Sequence, residues 1–198
     1  MTRLILHDQA AGLRNLTLFQ APDSARVFTI AGGTARVGKT SIVVNLATAL
    51  AQNGQRVLLI DENPCHNSIC TSLGLQARFD LLHVIHKDKR LDQVLLQGPE
   101  NIIILSAMRG IHALNKLNPL EQDWLIKSFA ELTGSVDIVL IDTAMTGTTH
   151  VLPLSLASEQ VMIVISGSAA SLTGAYALIK IMSQEYTKQN FLVLVNKV

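Results

Sequence analysis

Short, wholly apolar runs alternate with stretches of helical spacing along most of this chain. The runs near 27–31, 56–60, 102–105, 137–141, 161–165 and 191–195 are strand-sized and rich in Val, Ile and Leu, without the alternation of a half-exposed strand. Between them, apolar residues recur at three- and four-residue intervals near 40–52, 79–86, 90–97, 119–132, 150–158 and 171–187, which predicts helices. Strands apolar on both faces need cover on both faces, and intervening helices supply it. The pattern therefore predicts an α/β domain of three layers, α/β/α, around a mostly parallel central sheet. One helix start is fully signalled: Asn118 can cap, Pro119 suits the first helical position, Glu121 stands three residues after the cap, and Gly134 follows the end. Leu172, Ala175, Tyr176, Ile179 and Met182 form a stripe expected to face the core, and Trp124 and Phe129 are expected to pack there too.

Residues 1–25 read as an arm ahead of a single domain, 26–198, with a short amphipathic stretch and a break at Ala21-Pro22-Asp23-Ser24. A chain of 198 residues is long enough for one well-cored domain. The formal charge of +1, with no Lys/Arg cluster, offers no footprint for nucleic acid. Two cysteines, Cys65 and Cys70, are too few for a disulfide framework, and no secretory leader opens the chain, so a cytoplasmic protein is expected. No apolar run approaches the roughly 18 residues needed to span a bilayer.

Between strand 27–31 and helix 40–52 lies Gly33-Thr34-Ala35-Arg36-Val37-Gly38-Lys39-Thr40, which satisfies G-x-x-x-x-G-K-[ST]. In such a loop the backbone N–H groups and the following helix N-terminus converge on phosphates, the lysine reaches their oxygens and the hydroxyl ligates Mg²⁺. The expected architecture is thus the P-loop NTPase fold. Gly33, Val37, Gly38, Lys39 and Thr40 are the candidate nucleotide-binding positions. Two of the apolar strands end in aspartate, Asp61 and Asp142, and a carboxylate at a buried strand end can hold one of the waters of Mg²⁺ beside the phosphates. Asp137, at the start of its strand, is expected to be solvated.

These residues resemble the MinD/ParA group of deviant-Walker P-loop ATPases, and within it the flagellar-number regulators FleN/FlhG. The element Asp8-Gln9-Ala10-Ala11-Gly12-Leu13-Arg14 is similar to the Asp-Gln-Ala-x-x-Leu-Arg arm of that group, which contacts and stimulates the GTPase FlhF. Ser171-Leu172-Thr173-Gly174-Ala175-Tyr176-Ala177-Leu178-Ile179-Lys180 is similar to the group's Ser-Ile-Thr-Asp-Ala-Tyr-Ala-Leu-Ile-Lys. The resemblance implies ATP or ADP with Mg²⁺ as ligands. It also implies Ser41 beside the phosphates, Asn196 at the adenine edge, and Thr40, Asp61 and Asp142 around the metal. Asp8, Gln9, Ala10, Leu13 and Arg14 become the expected contacts for an FlhF-like GTPase and flagellar-assembly proteins.

Four positions depart from the group's pattern. Lys-Gly-Gly reads Thr34-Ala35-Arg36, so the lysine that crosses the ATP-sandwiched homodimer is missing and that dimer is in doubt. Asp-x-Asp reads Asp61-Glu62-Asn63, which puts Asn63 where the family's catalytic aspartate stands. Asp-x-Ala-x-Gly reads Asp142-Thr143-Ala144-Met145-Thr146, with Gly147 adjacent, and Glu-Pro reads Ser168-Ala169. Glu62, beside Asp61 on a pleated strand, is expected to point to the other face.

Phosphoryl transfer depends on positioning and charge stabilisation, so these losses are expected to weaken or abolish hydrolysis and to leave nucleotide binding. The expectation is a flagellar regulator that acts through partner contacts, without the group's membrane-targeting helix and hence without stable membrane anchoring. One alternative is an active ATPase in which Arg36 and Glu62 replace the lost groups. A second is the nucleotide domain of a cobyrinic acid a,c-diamide synthase-like ligase. Cys65, His66 and Cys70 fit no zinc spacing, His83 and His86 lack a third ligand, and Ser155 and Ser166 lack a base.

Overall fold

The computed structural model describes residues 25–63, 68–111, 113–144 and 158–197. Among these residues, β1 (Arg26–Ala31), β2 (Val57–Asp61), β3 (Leu96–Gln97), β4 (Ile103–Ser106), β5 (Ile138–Asp142), β6 (Gln160–Ile165) and β7 (Phe191–Val195) form one sheet. Its order is β3-β4-β2-β5-β1-β6-β7, parallel throughout except for the edge pair β3–β4. The helices are α1 (Lys39–Gln52), α2 (Ile69–Ser72), α3 (Leu81–Ile85), α4 (Leu91–Val94), α5 (Pro119–Thr133) and α6 (Ala169–Tyr186).

Alternate residues of each central strand feed opposite layers, as a period of two requires. Leu58, Ile60, Val139 and Ile141 join the cluster beneath α3, α4 and α5, with Leu125 and Phe129 at its centre. Their neighbours Val57, Leu59, Ile138 and Leu140 pack instead with Val43 and Ala47 of α1 and Ile69 of α2. Ala175 and Met182 of α6 close over Val161 and Ile163 of β6. The result is the three-layer α/β/α arrangement, with every strand that carries a candidate site residue ending at the same edge of the sheet.

The six apolar runs are the six parallel strands. Two helical expectations need correction, and a third lies outside the described residues. Segment 90–97 holds only α4, because Leu95 turns to an extended conformation and Leu96–Gln97 pair with β4, the chain then reversing at Gly98, whose N–H donates to the Ile102 carbonyl at 2.7 Å. The core stripe of α6 is narrower than expected. Ser171, Ala175 and Met182 are buried, whereas Leu172 and Tyr176 are 51% and 68% exposed. At 100° per residue those two lie roughly 80–120° around the helix from the buried line. The helix expected near 150–158 falls on residues outside those described, apart from Ser158. Elsewhere the local signals correspond to the fold: Asn118 Oδ1 accepts from Glu121 N–H and Glu121 returns the bond to Asn118 N–H, each at 3.0 Å. Among the described residues no helix is long and apolar enough to cross a membrane.

Candidate nucleotide-binding site

The loop from Gly32 to Gly38 leaves the end of β1 and delivers the chain into α1. Two of its residues take the left-handed region, Arg36 at φ 62° and Gly38 at φ 90°. Glycine adopts that conformation freely; an arginine there costs about 1–2 kcal/mol. Arg36 therefore holds a backbone shape suited to the glycine that the related pattern places there, and its side chain is exposed. Gly38 caps α1 without a side-chain hydrogen bond, so the first-turn N–H groups meet no capping oxygen from the cap residue. Thr40, half-buried, and Ser41, exposed, stand in that first turn. At the other end of the loop, Gly33 packs against α6, where a Cβ built on it would lie 1.9 Å from the carbonyl carbon of Gly174.

Lys39 reaches from α1 across the ends of β2 and β5. Its Nζ donates to Asn63 Oδ1 at 3.3 Å and pairs with Asp142 Oδ1, the Asp142 side chain being fully buried. Asp61 and Asp142 are register partners on adjacent parallel strands, which brings both carboxylates to the same level beneath the loop. Asp61 Oδ1 accepts from the backbone N–H of Asn63 at 3.0 Å and from its carboxamide at 3.2 Å, and Oδ2 accepts from Ile69 N–H at 2.7 Å. Burial nevertheless dominates and pushes the Asp61 carboxyl up to about 6.

Glu62 departs from its expected placement. It follows the last ladder residue of β2, so the pleat no longer fixes its side chain, and its carboxyl is wholly buried near Lys39 and Asp142. Burial lifts it to about 8, with the Lys39 charge pulling the other way. Both Glu62 oxygens and Asp142 Oδ2 are buried without a hydrogen bond of normal geometry, the Ala144 N–H lying just close enough to Glu62 to favour its carboxylate. Unpartnered acidic oxygens beside a lysine and the N-terminus of a helix are a set that fits a hydrated Mg²⁺ and a phosphate chain.

Asn63 binds Lys39 through its oxygen, while its Nδ2 donates to Asp61 Oδ1 and to the Asp142 carbonyl at 3.1 Å. It serves as a cross-brace that an aspartate, lacking donors, does not reproduce. Asn196 lies at the far side of the loop: its N–H donates to Ile165 O at 2.8 Å and its Nδ2 to Val37 O at 2.8 Å. Lys197, next in the chain, donates from Nζ to the Arg36 carbonyl. Neither Lys197 nor Gly174 was singled out as a site residue by sequence. The only signal for Gly174 was that it replaces an aspartate of the related motif.

The structure thus brings together Gly33, Val37, Gly38, Lys39, Thr40, Ser41, Asp61, Asp142 and Asn196, with Asn63 and Glu62 among them. Asp8, Gln9, Ala10, Leu13 and Arg14 lie outside the described residues, as do Cys65, His66, Thr146, Gly147 and Ser155. Among the described residues no group of three or more His, Cys, Asp or Glu side chains is arranged to hold a metal by itself. His83 instead bonds Asp80, and Asp137 pairs with Arg56 at 2.7 Å.

A family model described as an AAA domain matches residues 25–193. The chain is similar to the antiactivator FleN of Pseudomonas aeruginosa, 34% identical over 171 residues that cover 86% of this chain and 61% of the relative. It therefore spans about three fifths of FleN's length. Among solved structures, the MinD cell division protein of Aquifex aeolicus superposes with a TM-score of 0.70 at 25% identity, covering 88% of this chain and 70% of that one. The cobyrinic acid a,c-diamide synthase of Mycobacterium smegmatis, solved with an ATP analogue and magnesium, gives a TM-score of 0.65 at 21% identity over 86% of this chain and 74% of that one, a likeness of fold.

Proposed function

The chain belongs to the AAA-domain family and is a FleN/FlhG-like member of its MinD/ParA branch, and from that premise we propose a nucleotide-binding regulator of flagellar assembly that hydrolyses ATP weakly or not at all. It works in the cytoplasm through partner contacts, and its ligands are ATP or ADP with Mg²⁺. The observation that carries the reading is Lys39, poised at a helix N-terminus and held by Asp142 and Asn63 over buried carboxylates. Phosphate oxygens would compete with Asp142 and Asn63 for that ammonium, while the N–H groups of the loop and the first turn of α1 take the remaining charge. Thr40, Asp61 and Asp142 would hold Mg²⁺, which when bound neutralises charge on the phosphates.

Slow turnover follows from the same residues. Asn63 has no proton-accepting carboxylate and is already committed to Asp61, Asp142 and Lys39. Thr34 is no lysine, and the Arg36 side chain is exposed rather than set among the buried carboxylates. FleN is described as an antiactivator and MinD is known in a complex with MinC; by analogy, this chain restrains or recruits a protein partner. Residues 1–20 are proposed to contact an FlhF-like GTPase.

The alternative is an active ATPase, which the burial of Glu62 beside Lys39 favours. Calorimetric titration with Mg-ATP, run beside a hydrolysis assay of the wild type and Lys39→Ala, separates the readings. Lys39-dependent binding with little turnover is expected; no binding at millimolar nucleotide refutes the nucleotide site, and brisk Lys39-dependent hydrolysis selects the alternative. A pull-down of FlhF by the intact chain but not by one lacking residues 1–20 is expected, and equal capture by both removes the arm's role.

A further inference from the structure

Two hydrogen bonds join the end of β7 to the phosphate loop across 159 and 161 residues of sequence: Asn196 Nδ2 to Val37 O, and Lys197 Nζ to Arg36 O. Both acceptors are carbonyls of consecutive peptides. In a trans peptide the N–H points opposite to the C=O. Drawing the carbonyls of Arg36 and Val37 toward residues 196 and 197 therefore turns the N–H groups of Val37 and Gly38 away from them. The contact is close enough that a Cβ on Gly38 would lie 2.3 Å from Asn196 Nδ2 and 3.9 Å from Lys197 Cε. Both sides of it are conformationally strained, with Arg36 at φ 62° and Lys197 at φ 58°, which non-glycine residues adopt at a cost and which persist only when neighbours enforce them. Asn196 is itself fixed to β6 by its N–H bond to Ile165.

We infer that Asn196 and Lys197 are positioning residues of the phosphate loop, which hold its carbonyls outward so that the Val37 and Gly38 N–H groups are preset for a polyphosphate. The inference rests on the nucleotide-binding reading above. It assigns Asn196 to the loop rather than to the nucleobase, and it gives Lys197 a role at the site without contact to the ligand.

Calorimetric titration of the full chain with Mg-tripolyphosphate, Mg-ATP and Mg-GTP tests it, using the wild type, Asn196→Ala, Lys197→Met and Lys197→Arg. Loss of one preorganising hydrogen bond to a charged donor predicts about tenfold weaker binding by Lys197→Met, equal for tripolyphosphate and both nucleotides, with Lys197→Arg restoring it. Asn196→Ala is expected to show the same base-independent loss. Lys197→Met is expected to unfold in the same single transition as the wild type, somewhat lower but well above the titration temperature, so a fall in affinity reports the loop and not unfolded protein. Unchanged tripolyphosphate binding in both Asn196→Ala and Lys197→Met overturns the inference. A loss confined to ATP in Asn196→Ala overturns it as well, by returning Asn196 to base reading. A wild type that binds none of the three probes overturns the nucleotide-binding reading itself.

Discussion

Gly33, which opens the phosphate loop, and Gly174, inside α6, meet backbone to backbone. A Cβ on Gly33 would fall 1.9 Å from the Gly174 carbonyl carbon, and one on Gly174 would fall 2.5 Å from Gly33 O. Both distances lie inside any real contact, and the clashing atoms are backbone that has no rotamer to change. Alanine in a helix interior is normally worth about 1 kcal/mol over glycine. Overpacking costs about 1–3 kcal/mol and must displace either the loop or the helix here. Gly174→Ala is therefore expected to lower the melting temperature, and to weaken nucleotide binding at the same time because a loop yields more readily than a helix. A stabilised Gly174→Ala with wild-type affinity would show that the two backbones have room to separate.

Glu62 gives the fold a pH dependence with a definite sign. Its carboxyl keeps its proton to about pH 8 when folded, against 4.5 for the free group, and Asp61 behaves alike between 3.8 and about 6. From pH 4 upward the unfolded chain thus binds fewer protons than the folded one, so stability is complete below that range and declines as pH rises toward 8. Glu62→Gln removes the larger part of this decline. Its melting temperature is expected to match the wild type near pH 5 and to exceed it by several degrees near pH 8. Parallel melting curves at both values would show that Glu62 is not held protonated.

The sheet was legible in the sequence because a parallel strand covered on both faces must be apolar at every position, as Val57–Ile60 and Ile138–Ile141 are. Strand β3 was not, since two residues carry no period and Leu96 fits a helical pattern as well as a strand. The stripe on α6 was misjudged at Leu172 and Tyr176 because spacing identifies a face and says nothing of how wide its cover is. Lys39, Asp61 and Asp142 were found as candidates because each sits in a local signal, a loop motif or a strand end. Lys197, Gly174 and the bracing by Asn63 depend on partners remote in sequence, which no local pattern encodes.

Asp80 anchors α3 from a buried position. Its Oδ1 accepts from Leu82 N–H at 3.1 Å and lies 2.9 Å from His83 Nδ1, while Oδ2 receives Arg109 Nε. Asp80→Ala removes the cap, worth about 1 kcal/mol, and leaves half-exposed Arg109 to solvent. The expected loss is about 2–4 °C in melting temperature. Asp80→Asn retains a capping oxygen and is expected to lose about half as much. Equal losses in the two variants would assign the effect to the Arg109 pair instead.

Arg36→Gly sets two known quantities against each other. Releasing a left-handed arginine at φ 62° returns about 1–2 kcal/mol, while the freer unfolded chain of a glycine costs about 0.5–1 kcal/mol. Strain is the larger, so Arg36→Gly is expected to raise the melting temperature slightly, in contrast to a glycine placed in ordinary backbone. A fall in melting temperature would mean that the Arg36 side chain holds a stabilising contact.

Asn63→Asp tests whether the altered site is built around its replacement or merely lacks a group. The carboxamide donates to Asp61 Oδ1 at 3.2 Å and to Asp142 O at 3.1 Å, and accepts from Lys39 at 3.3 Å. An aspartate of the same shape strengthens the Lys39 contact, because that bond becomes charged at both ends. It also loses both donors and sets a carboxylate against the oxygens of Asp61 and Asp142. Each buried acceptor left facing an oxygen costs about 1–3 kcal/mol, and a hydrogen bond to a charged group is worth about 1.5–3 kcal/mol, so one gain stands against two losses. Asn63→Asp is therefore expected to lower the melting temperature, more at pH 8 than at pH 5, as Asp61 ionises beside the new carboxylate. Hydrolysis is expected to stay low, because the new carboxylate is drawn to Lys39 and Thr34 still supplies no cation. A stable Asn63→Asp with rapid, Lys39-dependent ATP turnover would show that one missing carboxylate had been the whole deficit, and would return this chain to the active ATPases.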